Sequence, residues 1–405
     1  MDPINAIAIL ITLATVFVCI NYHFLKVPTS IALMLMSLGM SLSLILMDQF
    51  GLPVRTYADQ LVGSIDFTKV LLKGMLGLLL FAGALHVNIN DLTEQKLEIG
   101  IYASMGVITS TVLVGLAVYV LSCWIEPGLR PVDCFLFGAL ISPTDPIAVL
   151  GILKKAGAPK SLETKIAGES LFNDGIGVVV FLILLKIATG EGHITPGFVA
   201  FVFAEEVAGG AIFGLVIGYA AYSLLKSVNE YQAEVMITLS LVIGGYALGS
   251  ALHISEPIAI VVAGLLIGNH GRRLAMSDIS REHLDTFWEL VDEILNSVLY
   301  VLIGLEVLVL TLDGTYLTAG IIAVPIVLLA RLVSVGIPTW MLRRWRDFVP
   351  NAILIMTWGG LRGGISVALA LSLPEQCHRE LILTMTYVVV VFSVLVQGMT
   401  IKRFF

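Results

Sequence analysis

The sequence predicts an all-α polytopic membrane protein, and three observations carry that prediction. Of 405 residues, 58% are hydrophobic and only 13% are charged, whereas soluble domains carry about 25% charged residues. The mean hydropathy is +0.96. The apolar runs are long and continuous, as spanning helices require, and not short and alternating as in a membrane barrel. Basic residues concentrate in every second loop. A soluble globular protein is excluded.

A spanning helix needs about 20 mostly apolar residues, and the sequence predicts thirteen of them. The first lacks a basic leader and a small-residue cleavage site, so we interpret it as a span and not as a signal peptide. Only the segment from Ser255 to Pro257 separates the eighth span from the ninth. The predicted spans lie near residues 4–20, 28–47, 74–88, 99–124, 134–151, 166–189, 196–225, 234–251, 255–268, 287–311, 315–341, 350–373 and 380–401.

The distribution of lysine and arginine predicts the orientation, because cytoplasmic loops carry the excess of positive charge. With thirteen spans and an outside N-terminus, the C-terminus is cytoplasmic. Six basic residues then lie on the outer side and two lie inside spans. The cytoplasmic side carries fifteen of the 23, namely Lys26, Lys96, Lys154, Lys155, Lys160, Lys165, Lys226, Arg272, Arg273, Arg281, Arg343, Arg344, Arg346, Lys402 and Arg403.

This asymmetry predicts a multi-pass membrane protein, and the expected location is the plasma membrane, in a bacterium the inner membrane. Membrane lipid is the expected surrounding partner. Anionic lipid and topology explain the basic loops, so nothing indicates nucleic-acid binding.

Charged residues inside spans are expensive and usually mark a pathway for ions. The weaker candidates lie near predicted span ends, where interfacial placement explains them more simply. Glu306 is deeper and its role is left open. The candidates near span ends are Glu205, Glu206, Glu256, Asp292 and Glu293; the others are Asp145, Glu169, Asp174, Arg331 and Arg362.

Asp145 lies in the sequence ISPTDPIAVLG, between Pro143 and Pro146. Proline lacks the amide donor and clashes with the preceding turn, so the helix is expected to break here. Breaks of this kind in transporters coordinate ions near the bilayer midplane. Thr144 adds a hydroxyl beside the carboxylate. The alternative is a simple proline kink.

The next predicted span begins with ESLFNDGIGVVVF, and its polar residues share one side of a helix. Ser170 and Asp174 lie four residues apart, and so do Glu169 and Asn173, so that the four side chains fall within an arc of roughly 140°. Such a face must meet another polar element, and the break at residues 143–146 is the nearest one. Oxygen ligands suit a hard cation such as Na⁺. The alternative is a polar seam that joins two helices.

The two arginines inside spans supply the compensating charge. Arg331 or Arg362 is expected to pair with Glu169, because an opposite charge favours the ionised form of a buried carboxylate. Glycines surround Arg362 in WGGLRGGIS, which predicts a second broken helix. Asp174 is then the carboxylate without a partner, and we hypothesise that it holds either H⁺ or a metal cation.

Other signals are weaker. The cysteines Cys19, Cys123, Cys134 and Cys377 form no CxxC pair and are interpreted as packing residues, although Cys123 and Cys134 flank one loop and could pair in an oxidising compartment.

The repeat of Gly210, Gly214 and Gly218 predicts close helix packing, within one subunit or at a dimer contact. No resident metal or cofactor is expected. His86, His270 and His283 could tune pH dependence, but interfacial placement is the simpler interpretation.

Four motifs in order, SPTDPIAVL, ESLFNDGIGVVVF, FWELVDEILNSVLYVLIGLE and GGLRGGISVALAL, resemble the cation–proton antiporter 1 family. Its bacterial members are the NhaP-type sodium/proton antiporters, and its animal members are the sodium/proton exchangers. The resemblance runs through essentially the whole chain.

The resemblance implies a fold of thirteen helices with inverted repeats and two crossing broken helices, and a homodimer that works by alternating access. It implies an ion-transport domain of about 74–189 plus 287–401 and a dimerisation domain of about 1–60 plus 196–270.

For the site, the resemblance implies that Thr144, Asp145, Ser170 and Asp174 bind the ion. Glu169 pairs with Arg331, and Arg362 lies by the crossing. The pair of Asn173 and Asp174 implies exchange of one Na⁺ or Li⁺ for one H⁺.

Three functions are alternatives to the exchange of Na⁺ or Li⁺ for H⁺. An intramembrane aspartyl protease needs a close carboxylate dyad and would leave Arg331 and the second break without roles. A passive cation channel favours rings of ligands around an axis between subunits, which thirteen spans and one buried site do not favour. Exchange of K⁺ for H⁺ within the same fold stays open.

Overall fold

The computed structural model describes residues 3–50, 67–125, 128–190, 195–252, 254–272, 276–308, 310, 313–346 and 348–404. Within these residues the secondary structure is helical apart from turns and one isolated β-bridge. Helices suit such apolar runs because every backbone polar group then finds its partner within the segment.

Thirteen long helical segments follow one another in the described chain, two of them broken. We number them in chain order: α1 Pro3–Ile20, α2 Thr29–Gln49, α3 Leu76–Leu85, α4 Lys96–Ile125, α5a Pro131–Ile141, α5b Ile147–Ala156, α6 Lys160–Thr189, α7 Pro196–Ser227, α8 Tyr231–Ala251, α9 Glu256–Leu266, α10 Asp278–Glu306, α11 Gly314–Leu342, α12a Ala352–Trp358, α12b Gly364–Leu371 and α13 Arg379–Phe392.

Several of these helices continue beyond their α-helical part. A π-helical turn Asn21–Leu25 extends α1, Lys69–Met75 precedes α3, and Ile267–Gly271 extends α9. Another π-helical turn, Ser393–Gln397, follows α13 and leads to the last turns of the chain. A short helix, Ile89–Glu94, lies between α3 and α4.

The protein is an all-helical, multi-span membrane protein. Within the described residues, eight helical segments are long and apolar enough to cross a membrane by themselves. Each predicted span coincides with a helical segment. Arg55 and Arg273, which entered the charge distribution, lie outside the described residues.

The prediction for the tenth span is wrong at both ends. We expected residues 287–311, but α10 begins at Asp278 and ends at Glu306. Its first turns are too polar to be recognised as part of a span, since the helix opens with DISREHLD. As a result, Asp292 and Glu293 lie in the middle of α10 and not near its end.

The helices pack in two groups, which meet where α6 contacts α7 and α9. In one group α4 packs against α5a, α6 and α11, and α11 packs against α13. In the other group α9 packs against α3 and α7, while α10 packs mainly against α2.

The glycine repeat of α7 allows close packing against α9 within the chain. A Cβ atom added at Gly214 would lie 2.4 Å from the backbone oxygen of Ala259, and one at Gly210 would lie 2.8 Å from that of Ser255. Since backbone atoms cannot move aside as a flexible side chain can, these positions require glycine. Packing within one subunit, the simpler of the two predictions, accounts for the repeat.

This contact predicts that Gly214→Ala destabilises the protein. Overpacking of a close helix contact costs about 1–3 kcal/mol, so the melting temperature in detergent should fall. Gly244→Ala in α8 is the matched control, because a Cβ there meets no atom within 4 Å. Thermal unfolding followed by size-exclusion chromatography compares the two variants, and equal melting temperatures would contradict the packing argument.

Candidate ion-binding site

Two broken helices cross at the centre of the site. The first break lies between Ile141 and Ile147, and the second between Trp358 and Gly364. At the crossing the amide of Asp145 donates to the carbonyl oxygen of Leu361 at 2.8 Å, in an isolated antiparallel bridge. Both interruptions were predicted, the first from its prolines and the second from its glycines.

The proline break frees backbone carbonyls that a side chain then satisfies. In an unbroken helix the carbonyl of Ser142 would accept from the amide of residue 146, but Pro146 has none. Nη1 of Arg362 donates instead to the carbonyl oxygens of Ser142 at 2.5 Å and Pro143 at 2.9 Å. Arg362, which lies in the second break, therefore stabilises the backbone of the first break. The resemblance implied that this arginine lies by the crossing.

Glycine is required where the two breaks touch. A Cβ atom at Gly363 would lie 2.6 Å from Oδ2 of Asp145, and one at Gly360 would lie 2.6 Å from Nε of Arg331. The second broken helix can approach both charged side chains only because these positions carry no side chain.

The polar face of α6 meets the first break, as predicted from the helical spacing. The hydroxyl oxygens of Thr144 and Ser170 lie 3.0 Å apart. Nδ2 of Asn173 donates to Oγ1 of Thr144 at 2.8 Å, and the amide of Thr144 donates to Oδ1 of Asn173 at 3.3 Å. Asn173 thus supplies an acceptor for one backbone amide at the break and a donor to the hydroxyl of the same residue.

Glu169 forms a buried ion pair with Arg331, which is the arginine that the resemblance selected. Nη1 of Arg331 donates to Oε1 of Glu169, and Nη2 donates to Oε2 at 3.0 Å. The side chains are 1% and 5% exposed. Nη2 also donates to the carbonyl oxygen of Met356 in α12a at 3.3 Å. The pair therefore ties α6 and α11 to the second broken helix.

Asp174 differs from Glu169, although the two lie on one helix. Its side chain is 8% exposed, and within the described residues no hydrogen bond or ion pair is made by its carboxylate. It lies on the wall of a cavity that also reaches Thr144 and Asp145. The four predicted ion ligands are thus brought together, with Asp174 as the carboxylate that has no protein partner.

The cavity has a volume of about 1020 Å³. Its lining includes the carboxylates of Asp145 and Asp174 together with Lys26, Lys160 and Lys402. The charge distribution assigns these three lysines to the cytoplasmic side. One cavity therefore reaches both Asp174 and segments that are predicted to be cytoplasmic.

Sequence reasoning missed the contribution of α10. The hydroxyl of Tyr300 donates to Oδ2 of Asp145 at 2.9 Å, and Asn296 and Asp292 follow at spacings of four residues along the same face. All three line the cavity. The signal was present as D-x-x-x-N-x-x-x-Y within the quoted motif, but the misplaced start of the span hid it.

The remaining predicted residues lie away from this centre. None of the four cysteines forms a disulfide within the described chain, so Cys123 and Cys134 are not paired. Glu306 is buried at the end of α10. His86 lies 3.7 Å from Glu289, and the ring of His283 stacks on Tyr231. No cluster of three or more His, Cys, Asp or Glu side chains that could hold a metal is found in the described part of the chain.

A buried carboxylate beside two crossed helix breaks, reached by a polar cavity in a multi-span helical protein, defines a secondary ion transporter. The chain belongs to the sodium/hydrogen exchanger family: the family model described as sodium/hydrogen exchanger, transmembrane, matches residues 9–405. Because this is a family of transporters and not of enzymes, the alternative of an intramembrane protease is wrong.

Individual relatives agree with this family. The Na⁺/H⁺ antiporter NhaP of Pseudomonas aeruginosa is 48% identical over 403 residues, which cover 98% of this chain and 95% of that protein. The Na⁺/H⁺ antiporter NhaH of Halobacillus dabanensis is 36% identical over 388 residues, covering 93% of this chain and 91% of that protein.

Solved structures of a sodium proton antiporter have the same fold as this chain. The sodium proton antiporter MjNhaP1 from Methanocaldococcus jannaschii matches with a TM-score of 0.77 at 17% identity, covering 100% of this chain and 98% of that chain. At this identity the match shows that the chain has an NhaP1-like fold, and no more.

The buried ion pair of Glu169 and Arg331 predicts how substitutions at these positions change stability. Removal of one partner leaves an uncompensated buried charge, which costs about 3–5 kcal/mol, whereas apolar replacement of both is often tolerated. Arg331→Met should therefore lower the melting temperature strongly, and the double variant Glu169→Leu/Arg331→Met should recover at least half of the loss. A double variant that is as unstable as the single one would show that the ion pair does not account for the effect.

Proposed function

We propose that this protein exchanges Na⁺ or Li⁺ for H⁺ across the membrane, one for one, by alternating access. The observation that carries the proposal is the unpartnered carboxylate of Asp174 on the wall of the cavity, beside the first helix break. A carboxylate removed from water is stable when it holds a proton or a cation. Since the two occupants neutralise the same charge, each displaces the other.

The proposed cation ligands are oxygen atoms of Thr144, Asp145, Ser170 and Asp174. Hydroxyl and carboxylate oxygens suit a hard alkali cation. Asn173 positions Thr144 through its two hydrogen bonds and adds no charge to the site.

The proposed stoichiometry follows from the number of mobile charges. Glu169 is already neutralised by Arg331, and Asp145 accepts a hydrogen bond from Tyr300. Asp174 is then the group left to release a proton when a cation binds, so one charge leaves for each charge that enters. The same reasoning applies to K⁺, and exchange of K⁺ for H⁺ remains the alternative within this mechanism.

The transport cycle is proposed to rest on the predicted topology. All thirteen helical segments cross the plasma membrane, with inverted repeats, the N-terminus outside and the C-terminus in the cytoplasm. The part of the cavity that is lined by Lys26, Lys160 and Lys402 then faces the cytoplasm, and this conformation is open to the inside. The predicted ion-transport domain, 74–189 plus 287–401, moves against the dimerisation domain, 1–60 plus 196–270, in a homodimer embedded in lipid.

A cation pulse on inverted vesicles that hold a proton gradient tests the proposal. Na⁺ or Li⁺ should collapse the gradient, and K⁺ should not. Lower pH should raise the Na⁺ concentration needed for half-maximal rate, because protons then occupy Asp174 more often. Collapse by K⁺ alone would establish the alternative substrate, and absence of any cation-dependent collapse would overturn the proposed exchange.

Asp174→Asn is the matched variant for this assay, because it keeps the size of the side chain and removes its charge. Exchange should fall to the level of vesicles without the protein, while the amount of folded protein is unchanged. If the variant exchanges cations at the normal rate, Asp174 is not the shared binding group.

A one-for-one exchange predicts insensitivity to voltage. In proteoliposomes, a K⁺ diffusion potential set with valinomycin should leave the rate of Na⁺-driven proton movement unchanged, and Na⁺ jumps on a solid-supported membrane should give no steady-state charge transfer. A rate that changes with the sign of the potential would rule out one-for-one exchange while leaving exchange itself intact.

A further inference from the structure

The stripe of polar residues on α10 is not explained by the proposed exchange site. Asp292, Asn296 and Tyr300 lie four residues apart, so they share one face of the helix. Tyr300 contacts the site directly through Asp145. Asn296 and Asp292 lie roughly 6 Å and 12 Å farther along the helix axis, at a rise of 1.5 Å per residue, and both line the cavity.

Asn296 is the unusual member of this stripe. Its side chain is 6% exposed, yet neither Oδ1 nor Nδ2 has a hydrogen-bond partner within the described residues. A buried amide without partners costs about 1–3 kcal/mol. An amide that faces a cavity beside a carboxylate is stabilised once a ligand supplies the missing contact.

Asp292 provides the charge for such a ligand. Its side chain is half-buried, it forms no ion pair within the described residues, and it interacts with the side chain of Asn296. His86 lies beside this end of the stripe, 3.7 Å from Glu289, which is three residues before Asp292. The carboxylate of Asp292 is therefore open to an ion in the cavity.

We propose that Asp292 and Asn296 form a second binding position for a monovalent alkali cation, between the mouth of the cavity and Asp174. The inference rests on the proposed function and deepens it, because it gives the cation an outer position from which it is passed inward. One carboxylate and one amide oxygen match a single positive charge. A divalent ion would need more carboxylates, and the described residues offer no such cluster.

The first test measures the Na⁺ dependence of exchange in proteoliposomes. Asp292→Asn and Asn296→Leu should each raise the half-saturating Na⁺ concentration about five-fold, which corresponds to roughly 1 kcal/mol of binding, with a smaller change in the maximal rate. Glu293→Gln is the matched control, because it removes the same charge from the next residue along the cavity wall. An unchanged half-saturating concentration in Asp292→Asn, or an equal rise in Glu293→Gln, would overturn the proposal.

The leucine variant also separates binding from a structural role. Replacing an unpartnered buried amide by an apolar side chain of similar size should not lower the melting temperature. A purely structural Asn296 would change the melting temperature without a change in Na⁺ dependence. The proposed cation position predicts a change in Na⁺ dependence without a lower melting temperature.

The second test does not depend on transport. Purified Asp174→Asn protein lacks the carboxylate that is proposed to be shared by Na⁺ and H⁺, so stabilisation by Na⁺ that remains and depends on Asp292 reports on the outer position. Its melting temperature should rise with NaCl at constant ionic strength, relative to choline chloride, and this rise should vanish in Asp174→Asn/Asp292→Asn. No Na⁺-specific rise in the single variant, or an equal rise in the double variant, would overturn the outer position. Failure of the proposed exchange would show separately, as wild-type vesicles without Na⁺-dependent proton movement.

Discussion

The site depends on the hydrogen bonds from Arg362 to the carbonyl oxygens of the first helix break. A helix interrupted inside a membrane leaves backbone groups without water, and each costs several kcal/mol unless it finds a partner. Pro146 removes the amide that would have satisfied Ser142, and Nη1 of Arg362 takes its place. The two broken helices are therefore held together by the groups that their own breaks expose, and the crossing brings Thr144 and Asp145 to the face of α6.

Once the crossing is in place, the two carboxylates of α6 differ in whether a cationic side chain meets them. Glu169 and Arg331 neutralise each other in a bidentate pair, so neither needs an ion from solution. Asp174, five residues along the same helix, has no such partner within the described chain and faces the cavity. Two carboxylates on one helix thus acquire different roles because only one of them is met by an arginine. That difference makes a single exchangeable charge the simplest account of the site.

Much of this arrangement could be predicted from the sequence because the signals are local. Prolines 143 and 146 predicted the first break, the glycines around Arg362 predicted the second, and helical spacing placed Glu169 to Asp174 on one face. The choice between Arg331 and Arg362 as the partner of Glu169 could not be made from composition or spacing. It depends on contacts between residues more than a hundred positions apart, and the resemblance to a family supplied it. The start of α10 was mispredicted because its first turns are polar, and the polar stripe of that helix was missed with it.

The contact between Tyr300 and Asp145 joins the two groups of helices. Tyr300 lies on α10, which packs mainly against α2, whereas Asp145 lies in the break of the helix that packs against α4 and α6. If the groups move relative to each other, the hydroxyl of Tyr300 must either follow Asp145 or release it. Release would leave an acceptor site on Asp145 that water or a cation can fill. In the proposed exchange, such a movement would couple the position of α10 to the oxygen atoms available beside Asp174, and a cation and a proton would then meet different sets of ligands in the two conformations.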